Sequence, residues 1–203
     1  MNQRQSYWLF LVNFVAFFGA DHLLERKFPA RAGKKVPFSI PYWPGVLVSS
    51  LSTILGGMYR PFNKHWFPIP PTLRLVSGII LGLASTIALW SRWTLRHHYG
   101  REEEEQPSDE LIQTGPYQVV RHPMYAAYIT QTISQLILTG NPLWFATFPA
   151  AMSFLQRAYR SDRHLAKAFG ATHQAYRQRV PDLLHPGDRR YNHLFLRIGQ
   201  KEQ

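Results

Sequence analysis

The chain has 203 residues, a length that suits one domain, with a net charge of +11 and no cysteine. The missing thiols exclude disulfides, thiolate catalysis and cysteine-ligated metals. An isoelectric point near 10.2 with 14% aromatic residues suits either nucleic acid or an anionic membrane surface, and the placement of Lys and Arg beside apolar runs selects the membrane. The mean hydropathy of −0.23 runs the other way only because it averages short spans with a very polar final third.

In chain order, residues 7–24 open with an apolar run broken only by Asn13 before Asp21 and His22. Phe18 is too bulky for the small residue that precedes a signal-peptidase cut, so the run reads as a first membrane helix. Arg26, Lys27, Arg31, Lys34 and Lys35 follow it and assign the next loop to the cytoplasm. Residues 42–59 form a second span, rich in Ser and Gly, with Tyr42, Trp43 and Tyr59 at its ends as interface aromatics. A proline-rich connector covers residues 60–74. Residues 75–93 make the third span, closed by Arg92 and Arg96. His97 and His98 follow, but adjacent histidines diverge on a helix and no third ligand is suitably spaced, so no metal is expected. The acidic run 102–105 reads as a polar linker between an N-terminal half, 1–100, and a C-terminal half, 101–203.

The C-terminal half is built around residues 111–142. Pro116 and Pro123 interrupt regular structure on either side of Tyr117 to His122. Arg121, His122, Tyr117 and Tyr125 therefore crowd into a shaped loop that leads directly into an apolar helix. Charge at the mouth of an apolar region needs a partner. On the loop alone, a bound anionic or zwitterionic ligand and the phosphates of nearby lipids serve equally well.

Two apolar segments, 125–138 and 143–155, are joined by Thr139-Gly140-Asn141-Pro142, a strong turn signal. Each is about 20 Å long as a helix, too short to cross comfortably alone, so a helical hairpin that dips in and returns to the same side is expected. From Arg157 onward the chain reads as a basic amphipathic helix, with Leu165, Ala168, Phe169 and Tyr176 as its apolar stripe. The tail around Arg189-Arg190-Tyr191 and Leu194-Phe195-Leu196 suits a headgroup surface. The fold class is thus all-α: a polytopic membrane protein of about five hydrophobic helices. Five Lys or Arg in residues 25–41 against three in 60–74 orient it with the polar loop in the cytoplasm.

Gly115-Pro116-Tyr117, Val120-Arg121-His122-Pro123 and Tyr125, followed by an apolar helix and Asn141-Pro142, resemble the isoprenylcysteine carboxyl methyltransferase and phospholipid methyltransferase family. The likeness continues through Leu165, Phe169-Gly170, Tyr176 and Val180-Pro181, and covers roughly residues 110–185. Two positions depart from it: Ser161-Asp162 stands where the family has a Glu pair, and Ala127 stands where it has Gly.

The resemblance implies S-adenosylmethionine as cofactor and a lipophilic or lipidated acceptor, with membrane lipids around it and no nucleic-acid partner. It marks Gly115, Pro116, Tyr117, Val120, Arg121, His122, Pro123, Tyr125, Tyr128, Asp162 and Tyr176 as the cofactor site, with Arg121, His122 and Asp162 closest to the chemistry. The residue types fit: Arg121 or His122 for a carboxylate, Asp162 for an amine or ribose, and tyrosines for a sulfonium or an adenine. A carboxylate acceptor needs no general base, whereas an amine would call on His122 or Asp162. A nicotinamide-dependent membrane reductase and a non-catalytic membrane scaffold are the other readings of such a sequence.

Overall fold

A computed structural model describes residues 2–29, 50–51, 68–98 and 110–182 of the chain. Among them every regular element is helical: α1 (Gln3–Lys27), α2 (Pro71–Leu95), α3 (Pro123–Thr139) and α4 (Phe148–Arg179), with short 3-10 turns at Arg96–His98, Gly115–Gln118 and Pro142–Thr147. All of the second expected span (42–59) except residues 50–51, together with residues 60–67 of the connector, the acidic run and the basic tail, lies outside the described residues.

Local chemistry sets the helix ends. Asn2 starts α1 with a reciprocal cap, its side chain accepting from the Gln5 N–H at 2.9 Å while the Gln5 side chain accepts from the Asn2 N–H. Proline opens α2 and α3 at their first position, where the missing N–H costs nothing. Gly140 ends α3, and the Asn141 side chain accepts from the Leu143 N–H at 3.0 Å to start the next turn.

Both α1 and α2 extend a few residues beyond the apolar runs that announce them, because backbone hydrogen bonds continue through Asp21 and Arg92. These two charges meet across the helices at 2.9 Å, the Arg92 side chain almost wholly buried. Each helix has 25 residues, about 37 Å at 1.5 Å per residue, and both are long and apolar enough to cross a membrane. Val12, Val15 and Leu23 of α1, and Ile79, Leu83 and Trp90 of α2, point outward, as lipid-facing side chains do.

Inside the bundle, Phe10, Leu81, Leu138 and Trp144 form one apolar cluster, and Phe17, Ala88 and Ala127 a second. The small side chains of the second let α1, α2 and α3 approach closely. Between these clusters Gln131 donates to Ser85 at 3.0 Å and Ser85 to Asn13 at 3.1 Å, one polar chain through three helices. After the turn, α4 runs back along α3, so that Met124 and Tyr125 meet Phe154 and Ala158.

The last helix keeps Leu165, Phe169 and Tyr176 of its expected apolar stripe at least partly buried and departs from it at Ala168. Residues 143–147 form a 3-10 turn, α4 then continues unbroken well past 155, and its backbone departs from helical geometry at Gly170 (φ 46°, ψ −117°). Ala168, expected on the apolar stripe, is exposed, and the buried face carries Ser161, Asp162 and His173. A single helical wheel drawn across 157–179 cannot follow that face, because the chain changes direction partway along it.

Candidate active site

At the end of the bundle where α3 begins, the loop before it packs against α4. Gly115 lies with φ +58° against α2: a Cβ there would sit 2.9 Å from Thr94 Oγ1 and 3.4 Å from Trp90 Nε1. This close approach seats the Gly115–Gln118 turn and buries Pro116 and Tyr117. The loop is then fastened to the far end of α4. Tyr176 donates its phenolic proton to the Tyr117 carbonyl at 2.7 Å, and the Arg121 N–H donates to the Pro181 carbonyl at 3.0 Å.

Arg121 and His122 are thereby turned inward and buried, and Asp162 on α4 receives both. The Arg121 guanidinium pairs with Asp162 Oδ2, and His122 Nε2 lies 3.2 Å from Oδ1. A second imidazole, His173 Nε2, approaches the same Oδ1 at 3.5 Å, and Arg177 Nε stands 4.0 Å from Oδ2. Arg121 also reaches Asp182 at 3.4 Å, so it bridges two carboxylates.

Burial alone would raise the Asp162 pKa. The two imidazoles of His122 and His173, with the Arg121 charge, outweigh it and hold the carboxyl well below the usual carboxylate range. Asp162 is therefore an ionised anchor, and as a general base it is unsuited.

Beside the charges stands an aromatic column. The His122 ring stacks on Tyr125 at 5.9 Å between centroids, Tyr125 on Phe154 at 5.6 Å, and Tyr128 leans on the same Phe154 at 5.2 Å. Tyr128 also meets Phe17 of α1 edge-on, which couples the column to the lipid-facing helices.

Of the residues singled out from the sequence, Arg121, His122, Tyr125 and Asp162 come together directly. Tyr117 and Tyr176 join one another, Tyr128 sits one turn along α3, and Gly115, Pro116 and Pro123 shape the backbone. Val120 is half-buried at the edge of the group. His173, Arg177, Asp182 and Phe154 were missed. A Gly inside an otherwise helical pattern was the available signal for the first three, since it marks a helix end and sends the residues after it elsewhere.

Residues 72–167 match the isoprenylcysteine carboxyl methyltransferase (ICMT) family. The chain is 25% identical over 189 residues to a probable protein-S-isoprenylcysteine O-methyltransferase of Oryza sativa subsp. indica, covering 89% of this chain and 96% of that protein. It is 26% identical over 194 residues to the protein-S-isoprenylcysteine O-methyltransferase of Schizosaccharomyces pombe, covering 83% and 80%. A methanethiol S-methyltransferase 2 of Bradyrhizobium diazoefficiens is 28% identical over 155 residues, covering 68% of this chain and 57% of that protein. The loop, the helix that follows it and Asp162 all fall inside the matched region, and with these relatives they make the chain similar to the isoprenylcysteine carboxyl methyltransferases and support a membrane methyltransferase.

Proposed function

We propose that the protein transfers a methyl group from S-adenosylmethionine to the carboxylate of a lipidated acceptor, at a site on the cytoplasmic side of the membrane. The observation that carries this reading is the buried group Arg121, His122 and Asp162 standing against the Tyr125, Phe154 and Tyr128 rings. A sulfonium amino acid joined to a nucleoside needs these two surfaces side by side: directed polar groups for its charged end, flat rings for the rest.

The residues present fit such a ligand. Arg121 Nε and the Ser161 hydroxyl are buried without a hydrogen-bond partner among the described residues, which is costly unless a ligand accepts from them. Arg121 is the donor to the amino-acid carboxylate, and Asp162 keeps it in place. Tyr125 and Tyr128 offer ring faces to a sulfonium through cation-π attraction, or to adenine by stacking. The cofactor, when bound, supplies a methyl group on a positively charged sulfur.

This chain has to align the acceptor and keep water out. Transfer to a carboxylate cancels charge and requires no base, so orientation and water exclusion are the main contributions asked of the protein. The low Asp162 pKa argues for that acceptor, because the cluster then holds one fewer base for an amine. Tyr128 and Phe17 continue the aromatic column into the apolar interior, a path suited to a prenyl chain, and a hairpin of α3 and α4 within a bundle of five helices would shelter it. The excess of Lys and Arg in the 25–41 loop orients the site toward the cytoplasm.

Calorimetric titration of the detergent-purified protein with S-adenosylhomocysteine tests the reading. Micromolar binding that Arg121→Ala abolishes is expected, followed by turnover of prenylcysteine carboxylates and none of lipid amines. A folded sample that binds nothing would refute it.

A further inference from the structure

We propose that His173 is a positioning residue of the methyl-transfer site, brought to it by the reversal of α4 at Gly170 and acting on the reaction through the Asp162 carboxylate. The inference rests on the methyl-transfer reading above, and it starts from a distance that a helix cannot produce. Residues 162 and 173 share a helical face, but on an unbroken helix they stand about 16 Å apart along the axis. The side chains instead meet at 3.5 Å. Only a chain that turns back on itself allows this, and the turn is the non-helical Gly170.

The imidazole is 1% exposed, so it has given up hydration for its surroundings, an expensive exchange for a residue that merely fills space. Its Nε2 and that of His122 converge on one oxygen. His122 Nε2 stands at hydrogen-bond distance, 3.2 Å, while His173 Nε2 at 3.5 Å makes an ion-pair contact short of a formed hydrogen bond. With Arg121 on the other oxygen, the carboxylate is contacted on both sides. Arg121 and His122, which are to meet the ligand, are positioned through these contacts. The lowered Asp162 pKa, in which His173 is one of the causes, agrees with the geometry.

The charged and titratable groups facing this pair, among the described residues, are Arg121 and His122 from the loop, Arg177 from α4, and Asp182 through Arg121. The Tyr176 ring lies beside His173 at 6.3 Å. Arg121 and His122 stay on Asp162 when His173 is replaced, so the loss removes one of several contacts that oppose the effect of burial on the carboxylate.

The experiment compares His173→Phe, which keeps a ring and removes the donor, with His173→Gln, whose amide N–H replaces Nε2–H. Each is titrated with S-adenosylhomocysteine, and each is melted without ligand from neutral pH down to about 3, below the ordinary carboxylate pKa. His173→Phe should bind roughly tenfold more weakly or worse, the loss of one close polar contact to a charge. Its acid destabilisation should begin at higher pH than in the wild type, while His173→Gln keeps most of both properties. Should the Phe variant fail to fold, His173→Asn takes its place, too short to reach Asp162.

Wild-type affinity and acid profile in His173→Phe would overturn the proposal, as would equal damage in Phe and Gln variants, which would mark a purely spatial role. A wild type that binds no S-adenosylhomocysteine would overturn the cofactor reading and this proposal together. The ligand-free melts would still show whether His173 and Asp162 are coupled.

Discussion

The two ends of the bundle are held by different kinds of force. At one end Phe10, Leu81, Leu138 and Trp144 pack with no charged group among them. At the other, Arg121, His122, Asp162 and His173 are also buried but are joined through polar contacts and charge. Apolar contact is non-directional, so helices need only bring the right faces together. The polar cluster needs its atoms within a few tenths of an ångström, and the backbone obtains that by breaking: at Gly115 against α2, at Pro123 where α3 starts, and at Gly170 where α4 turns.

Asp162→Asn should separate the two ends most sharply. It leaves Arg121 buried with only the half-exposed Asp182, and losing one partner of a buried ion pair costs about 3–5 kcal/mol, with Asp182 keeping the loss near the lower figure. S-adenosylhomocysteine binding should disappear with it. Leu81→Ala, at the apolar end, should cost about 2–5 kcal/mol through the cavity it leaves yet keep ligand affinity in the folded fraction. Denaturant titration in detergent micelles, run beside calorimetry, reads both. Equal effects of the two substitutions on affinity would dissolve the distinction.

Gly170→Ala comes next. An added Cβ meets no atom within 4 Å, so the cost is backbone strain alone, at least about 1–2 kcal/mol for an L-residue at positive φ. Activity should fall further than stability, by about a hundredfold, since it depends on where the chain after the turn delivers His173 and Tyr176. A variant as active as the wild type would mean that the turn is incidental. The apolar end should not register the change.

Acid separates the ends more gently. Because the Asp162 pKa is lowered on folding, its contribution is complete above the unfolded value of about 4 and is withdrawn as pH falls from there toward the folded one. Thermal stability should therefore drop below about pH 4 in the wild type, and the part of that drop owed to this residue should vanish in Asp162→Asn. Superimposable acid profiles for the two proteins would contradict the assignment.

The same contrast decides what the sequence discloses. Apolar runs locate α1, α2 and α3 to within a few residues, because each helix presents an apolar surface along most of its length. Arg121, His122 and Asp162 were legible through the spacing of a family pattern, although they are 40 or 41 residues apart in the pairs they form. His173 was not, because a helical wheel drawn from 157 to 179 treats the axis as straight and sets His173 three turns beyond Asp162. Asp182 was hidden for the same reason, lying past the end of a helix whose direction had already changed. Asn13 stood out as the one polar residue in its run, but nothing local reveals that Ser85 and Gln131 are its neighbours.

That polar chain offers the smallest test of the comparison, since it places directional bonding among the apolar helices. Gln131 is 5% exposed and donates to Ser85, which in turn donates to Asn13. Were such bonds in a membrane interior worth what they are in a dry medium, Gln131→Leu would be ruinous. Interhelical hydrogen bonds in bilayers average only about 0.6 kcal/mol, because the separated helices find other partners, and the Leu side chain adds packing of its own. Gln131→Leu should therefore lower stability by about that amount and leave S-adenosylhomocysteine affinity unchanged, whereas Asp162→Asn removes both. A loss above about 2 kcal/mol, beyond the range seen for such bonds, would show that the middle of the bundle depends on directed polar contacts as its charged end does.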